Sequence, residues 1–85
     1  MAVTVIFAVY GALKGGDPDQ TKAWDVTQAL QTAINSAPGQ IVKIDNPTMG
    51  GDPVNGVKKH FGAIVDVNGA RRPFACEENQ TIDFT

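Results

Sequence analysis

His60 and Cys76 are the only imidazole and the only thiol in the 85-residue chain. A cysteine nucleophile needs its base within hydrogen-bond reach. Strand alternation sets His60 on the face opposite Phe61, while Cys76 runs in phase with Phe74 and is expected to look inward. The pair therefore reads as a surface imidazole and a small buried thiol. One histidine and one cysteine also fall short of the three or four nitrogen and sulfur ligands that zinc takes.

Oxygen ligands are more plentiful. Asp17, Asp19, Asp25, Asp45, Asn46, Asp52 and Asn55 all lie in or beside turn-rich segments. An EF-hand counted from Asp17 fails, because its sixth position is Lys22 where glycine is required and its twelfth is Gln28 where glutamate is required. Turn formation by Asx side chains accounts for these residues. Glu77 and Glu78 are adjacent, so on a strand they point to opposite faces and do not form an acid-base pair. The glycines of "MGGDPVNG" lead into a strand and lack the lysine and hydroxyl that a phosphate loop places at a helix start. With no catalytic set, the expectation is a chain that is not an enzyme and carries no cofactor and no metal.

What remains is recognition. Trp24 and Tyr10 are amphipathic aromatics able to stack on a sugar ring or anchor a protein partner. Asp52, Asn55 and Lys59 offer hydrogen-bonding and charged groups nearby in the sequence. These five are the candidate ligand-binding residues, for a glycan or a protein ligand. Trp24 has a competing reading as a hydrophobic staple near Ala29. In "GDPVNG", Asp52, Pro53, Asn55 and Gly56 satisfy the demands of a turn that aims the following strand.

The elements that must position these groups are legible in part. Val3, Val5, Phe7 and Val9 alternate with Ile6, Ala8 and Tyr10, so both faces of the first strand are apolar, which predicts a central strand covered on both sides. Gly15 to Ala23 carries Gly, Pro and Asp without periodicity and reads as a loop. Val26, Ala29, Leu30, Ala33 and Ile34 define one face of a helix, with Asp25 and Gln28 spaced as a capping box and Pro38-Gly39 as the stop. Gln40 to Ile44 is a short strand. From Val57 to Val67, Phe61, Ala63, Val65 and Val67 alternate with His60, Gly62, Ile64 and Asp66, and the first set is expected to face the core. Asn68-Gly69 is a hairpin signal, "ARRPFACE" is the returning strand with Pro73 marking an edge, and "TIDF" closes the chain. The fold class this predicts is α+β, a mostly antiparallel sheet with one amphipathic helix packed on it; the alternative is a small β-sandwich with one helix.

The length suits a single domain spanning residues 1–85. A net charge of −2 excludes a general nucleic-acid binder, which needs clustered cations. Lys58-Lys59 and Arg71-Arg72 are the densest basic groups and read as solvated or edge-protecting positions on strands. The single cysteine forbids an intramolecular disulfide, and the opening apolar run lacks a basic leader and is too short to span a bilayer. A cytoplasmic location without membrane insertion is expected.

Three stretches, "AVYG" (8–11), "WDVTQALQ" (24–31) and "GDPVNGVKKHFGAIVDVNG" (51–69), followed by a late Glu, resemble the C-terminal domain family of the mitochondrial DnaJ-like protein of the C subfamily, member eleven. Tyr10, Gly11, Asp25, Val26, Thr27, Leu30, Asp52, Pro53, Gly56, Lys59, Gly69 and one of Glu77 or Glu78 fill the pattern. Gly62, Asp66 and Pro73 depart from it by softening two strands. Similar domains occur alone in bacterial and fungal proteins of unassigned role. The resemblance implies a fold and an accessory binding role, and it supplies no catalytic residues. The expected function is thus a non-catalytic binding module, lectin-like or protein-binding. The alternative is a self-assembling structural protein, a homo-oligomer joined through an unpaired strand edge.

Overall fold

The computed structural model describes residues 2–85. In chain order the elements are β1 (Val3–Leu13), β2 (Thr21–Asp25), α1 (Thr27–Ser36), β3 (Ile41–Lys43), β4 (His60–Val67), β5 (Ala70–Glu77) and β6 (Thr81–Asp83). They build one four-stranded antiparallel sheet in the order β2-β1-β4-β5 and a two-stranded antiparallel ribbon of β3 and β6. The α+β class read from the sequence is the one adopted.

β1 is central, as expected, but it is not covered on both sides. Its register against β4 slips between Val5 and Phe7, a bulge that leaves Ile6 unpaired. An extra residue reverses the phase of alternation, so Val5 before the bulge and Ala8 and Tyr10 after it all point inward. Both alternating sets are apolar because each faces the core for half the strand. One side of the sheet is therefore buried, and there Val5, Ala8, Tyr10, Phe61, Ala63, Val65 and Val67 meet Leu30 and Ile34 of α1 together with Val42, Ile44, Met49 and Phe84.

β2 begins inside the stretch expected to be a loop, Gly15 to Ala23. All five of its residues are exposed, which is why no apolar period announces it. It pairs with β1 only from Val9 to Leu13. Below that, the free edge of β1 is served by the helix. The Val5 amide donates to Gln31 Oε1 at 2.7 Å, Gln31 Nε2 donates to the Val3 carbonyl at 3.1 Å, and the Ala8 amide donates to Thr27 Oγ1 at 3.0 Å. The Val26 amide completes the set by donating to the Ala8 carbonyl at 2.9 Å. The helix thus substitutes for a strand along half an edge.

This anchorage also moves the helix start. Val26 is the N-cap, and Asp25 Oδ1 accepts from the Thr27 amide at 3.0 Å and from Thr27 Oγ1 at 2.6 Å. The capping box expected between Asp25 and Gln28 does not form, because Asp25 lies one residue too early and turns its carboxylate to Thr27.

Replacing Gln31 by Ala leaves a donor and an acceptor of β1 without partners. The expected cost is about 2 kcal/mol in urea unfolding, with the Val5 amide becoming fast in hydrogen exchange; a protected Val5 amide would contradict the helix-for-strand role.

Candidate functional site

The five candidate binding residues divide between the interior and the surface. Tyr10 is fully buried, and its hydroxyl donates to Asn46 Oδ1 at 2.6 Å. Lys59 is only 2% exposed. Its Nζ lies 2.7 Å from Asp52 Oδ1 and 3.6 Å from Glu78 Oε1, and it donates to the Val54 carbonyl at 2.7 Å. Glu78 Oε1 also accepts from the Lys59 amide at 2.9 Å. The reading of the lysine pair as a solvated face is therefore corrected for Lys59, whose ammonium donates to the Val54 carbonyl and is paired with the Asp52 and Glu78 carboxylates inside the protein. Lys58 fits that reading, being exposed and 3.4 Å from Glu77.

Trp24 and Asn55 are exposed. Trp24 sits on β2 opposite Tyr10, and its six-membered ring lies over the backbone of Gly51, where a Cβ would come within 3.1 Å of Cη2 and Cζ3. That position, at φ +146°, suits glycine for both reasons. Trp24 thus packs β2 against the loop before β4. The loop does more than aim β4, because Ile44, Met49 and Val54 are buried anchors.

Three of the Asx residues accept the backbone amides of turns. Asp17 Oδ1 accepts from the Asp19 amide, Asp45 Oδ1 from Thr48 and Asp52 Oδ1 from Val54. No group of three or more His, Cys, Asp or Glu side chains able to hold a metal ion converges among the described residues. His60 pairs with Glu77 and Phe61 with Cys76, so the imidazole and the thiol project from opposite faces of the sheet. Burial pushes the Cys76 thiol up, which keeps it protonated.

The other surface region is the sheet face turned away from α1. Strand register arranges it in cross-strand rows: Ala23, Gly11, His60 and Glu77; then Asp25, Val9, Gly62 and Ala75; then Phe7, Ile64 and Pro73; then Thr4, Asp66 and Arg71. Its centre is apolar, with Phe7 50% and Ile64 39% exposed, and Leu13, 42% exposed, lies on the same face at the end of β1. Its rim carries Asp25, His60, Glu77, Asp66 and Arg71. Toward the C-terminal end of β1, Gly11 and Gly62 lower the face into a shallow trough of about 410 Å³, lined also by Val9, Leu13, Ala23 and His60. Gly11 is required there, since a Cβ would lie 2.1 Å from the Lys22 carbonyl oxygen. An apolar centre inside a polar rim is the anatomy of a protein contact surface.

The sequence reading missed this face. One signal was present: Phe7, Val9 and Ile64 are large apolar residues out of phase with the core set of their strands, once the bulge is allowed for. The burial of Lys59 was legible too, because it runs in phase with Phe61, Ala63 and Val65.

The chain matches no family model, no curated protein and no solved structure. No helix among the described residues is long and apolar enough to cross a membrane.

Two outcomes follow from the interior groups. Lys59→Ala strands two carboxylates and a carbonyl and is expected to cost about 3 kcal/mol in denaturant unfolding, whereas Lys58→Ala, at an exposed pair, costs less than about 1 kcal/mol; equal effects would contradict the burial of Lys59. Burial, aided by the Glu78, Asp52 and Asp45 carboxylates, pushes the Tyr10 hydroxyl up to about 12. An unfolded tyrosine ionises near pH ~10, so the neutral phenol's contribution is complete below that pH and lost as pH rises toward 12. Tyr10 is the only tyrosine, and its ultraviolet titration should run late and coincide with alkaline unfolding; a reversible transition near the ordinary value in folded protein would contradict it.

Proposed function

We propose that this chain is a non-catalytic binding module that works by protein-protein contact through the open face of its four-stranded sheet. The observation that carries this reading is the uncovered apolar centre formed by Phe7, Val9 and Ile64 within a charged rim. Burying such a patch supplies the driving force for association, at about 25 cal/mol per Å² before the costs of binding are met.

The glycan-binding alternative draws less support. A sugar site needs a stacking ring and several convergent hydrogen-bonding groups, and the Tyr10 hydroxyl, the Lys59 ammonium and Asp52 are engaged within the protein. Trp24 and Asn55 are the exposed members of that set. The resemblance to an accessory domain agrees with a module that binds without catalysing.

The test is affinity capture from an extract of the source cells, comparing the native chain with the double variant Phe7→Arg/Ile64→Arg. Both positions are already exposed, so the variant should keep its circular dichroism spectrum and lose the captured proteins. Capture of the same proteins by both chains would contradict the reading, as would specific retention on a glycan array that depends on Trp24.

A further inference from the structure

Building on the open sheet face as a protein contact surface, we infer that its occupant is a second copy of the same chain, bound face to face about a two-fold axis that lies in the interface and runs across the strands. The face is self-complementary. An isologous contact requires each group on the face to meet its complement after the two-fold operation. An axis perpendicular to the strands keeps each strand over its own copy and inverts the order of the rows.

With the axis between the Val9-Gly62 row and the Phe7-Ile64 row, the row holding His60 and Glu77 falls on the partner's row holding Asp66 and Arg71. Arg71 then meets the partner's Glu77, and Asp66 meets the partner's His60. Each of these contacts occurs twice. Size matches as well as charge: Ile64 falls over the partner's Gly62, which has no side chain, and Phe7 falls over the partner's Val9. Sheets packed face to face keep their strands within about 30° at about 10 Å separation, which suits one layer of interlocking side chains.

The other in-plane two-fold, parallel to the strands, fails this test. It lays β2 over the partner's β5, sets Glu77 against the partner's Ala23 and Asp66 against the partner's Thr4, and leaves Arg71 beyond the end of β2 with no acid. Within one copy Arg71 makes no ion pair among the described residues, and Glu77 holds only the exposed Lys58. Both groups are thus available at the rim.

The size of the face sets the strength. Four strands about 4.8 Å apart and roughly eight residues long cover about 19 by 27 Å, on the order of 500 Å² per copy. Two copies bury on the order of 1,000 Å², at the lower limit for a specific interface. The pair is therefore weak and concentration-dependent.

Sedimentation equilibrium from micromolar to millimolar protein tests this directly. The native chain should pass from monomer to dimer, and Arg71→Glu or Glu77→Arg alone should each weaken the dimer about tenfold or more by setting like charges together. The double reversal Arg71→Glu/Glu77→Arg should restore it to within about threefold of native. Arg71 and Glu77 are about 20 Å apart along one strand, so restoration must act between copies. A dimer indifferent to the single reversals would overturn the face-to-face arrangement in favour of edge pairing. A chain monomeric at every concentration would overturn the inference altogether; the binding-module reading would then stand or fall separately on whether Phe7→Arg/Ile64→Arg loses its captured partners.

Discussion

The hydrogen bonds from α1 to the backbone of β1 fix what the rest of the molecule is free to do. A central strand has two edges, and each buried amide and carbonyl on them needs a partner. β4 satisfies one edge of β1 along most of its length, but β2 reaches only its second half. Gln31 and Thr27 satisfy the first half from the helix. Because those bonds are short and directional, α1 is held on one side of the sheet, and the described residues form no second α-helix with which to cover the other.

Two consequences follow from that asymmetry. The covered side collects the helix, the β3-β6 ribbon and the loop before β4, and its polar groups are drawn inward with partners: Tyr10 on Asn46, Lys59 on Asp52, Glu78 and the Val54 carbonyl. These groups lock the loop to the end of the sheet, and no buried side-chain nitrogen or oxygen among the described residues lacks a hydrogen-bond partner. The open side keeps apolar residues in water, a cost that a partner surface relieves. Of the residues whose types first suggested ligand chemistry, Tyr10, Lys59 and Asp52 serve the fold, and the open face is built from plain aliphatic and aromatic groups.

Where local pattern and tertiary structure agree, the sequence was readable. The helix face of Val26, Leu30 and Ile34, the inward set of β4, the Asn68-Gly69 hairpin and the edge position of β5 with Pro73 all follow from periodicity and turn chemistry. β2 was not readable, because an edge strand exposed at every position leaves no apolar period and Pro18 and Asp19 just before it speak for a turn. The phase change at Ile6 was hidden for a related reason: one extra residue makes a half-open strand look apolar on both faces. Lys59 shows the limit of reading residue types singly, since its burial depends on Glu78, nineteen positions away in sequence, and on Asp52 across the loop. Its phase with Phe61 carried the clue, and its charge masked it.

The central claim is that the face opposite α1 is the one this protein presents to others. Amide chemical shifts of an isotope-labelled sample, followed through a dilution series, address it residue by residue. The account predicts concentration-dependent shifts at Phe7, Val9, Gly62, Ile64 and Ala75, with the amides of α1 and of the loop before β4 unmoved. Shifts confined to Trp24 and Asn55, with the sheet face silent, would contradict it.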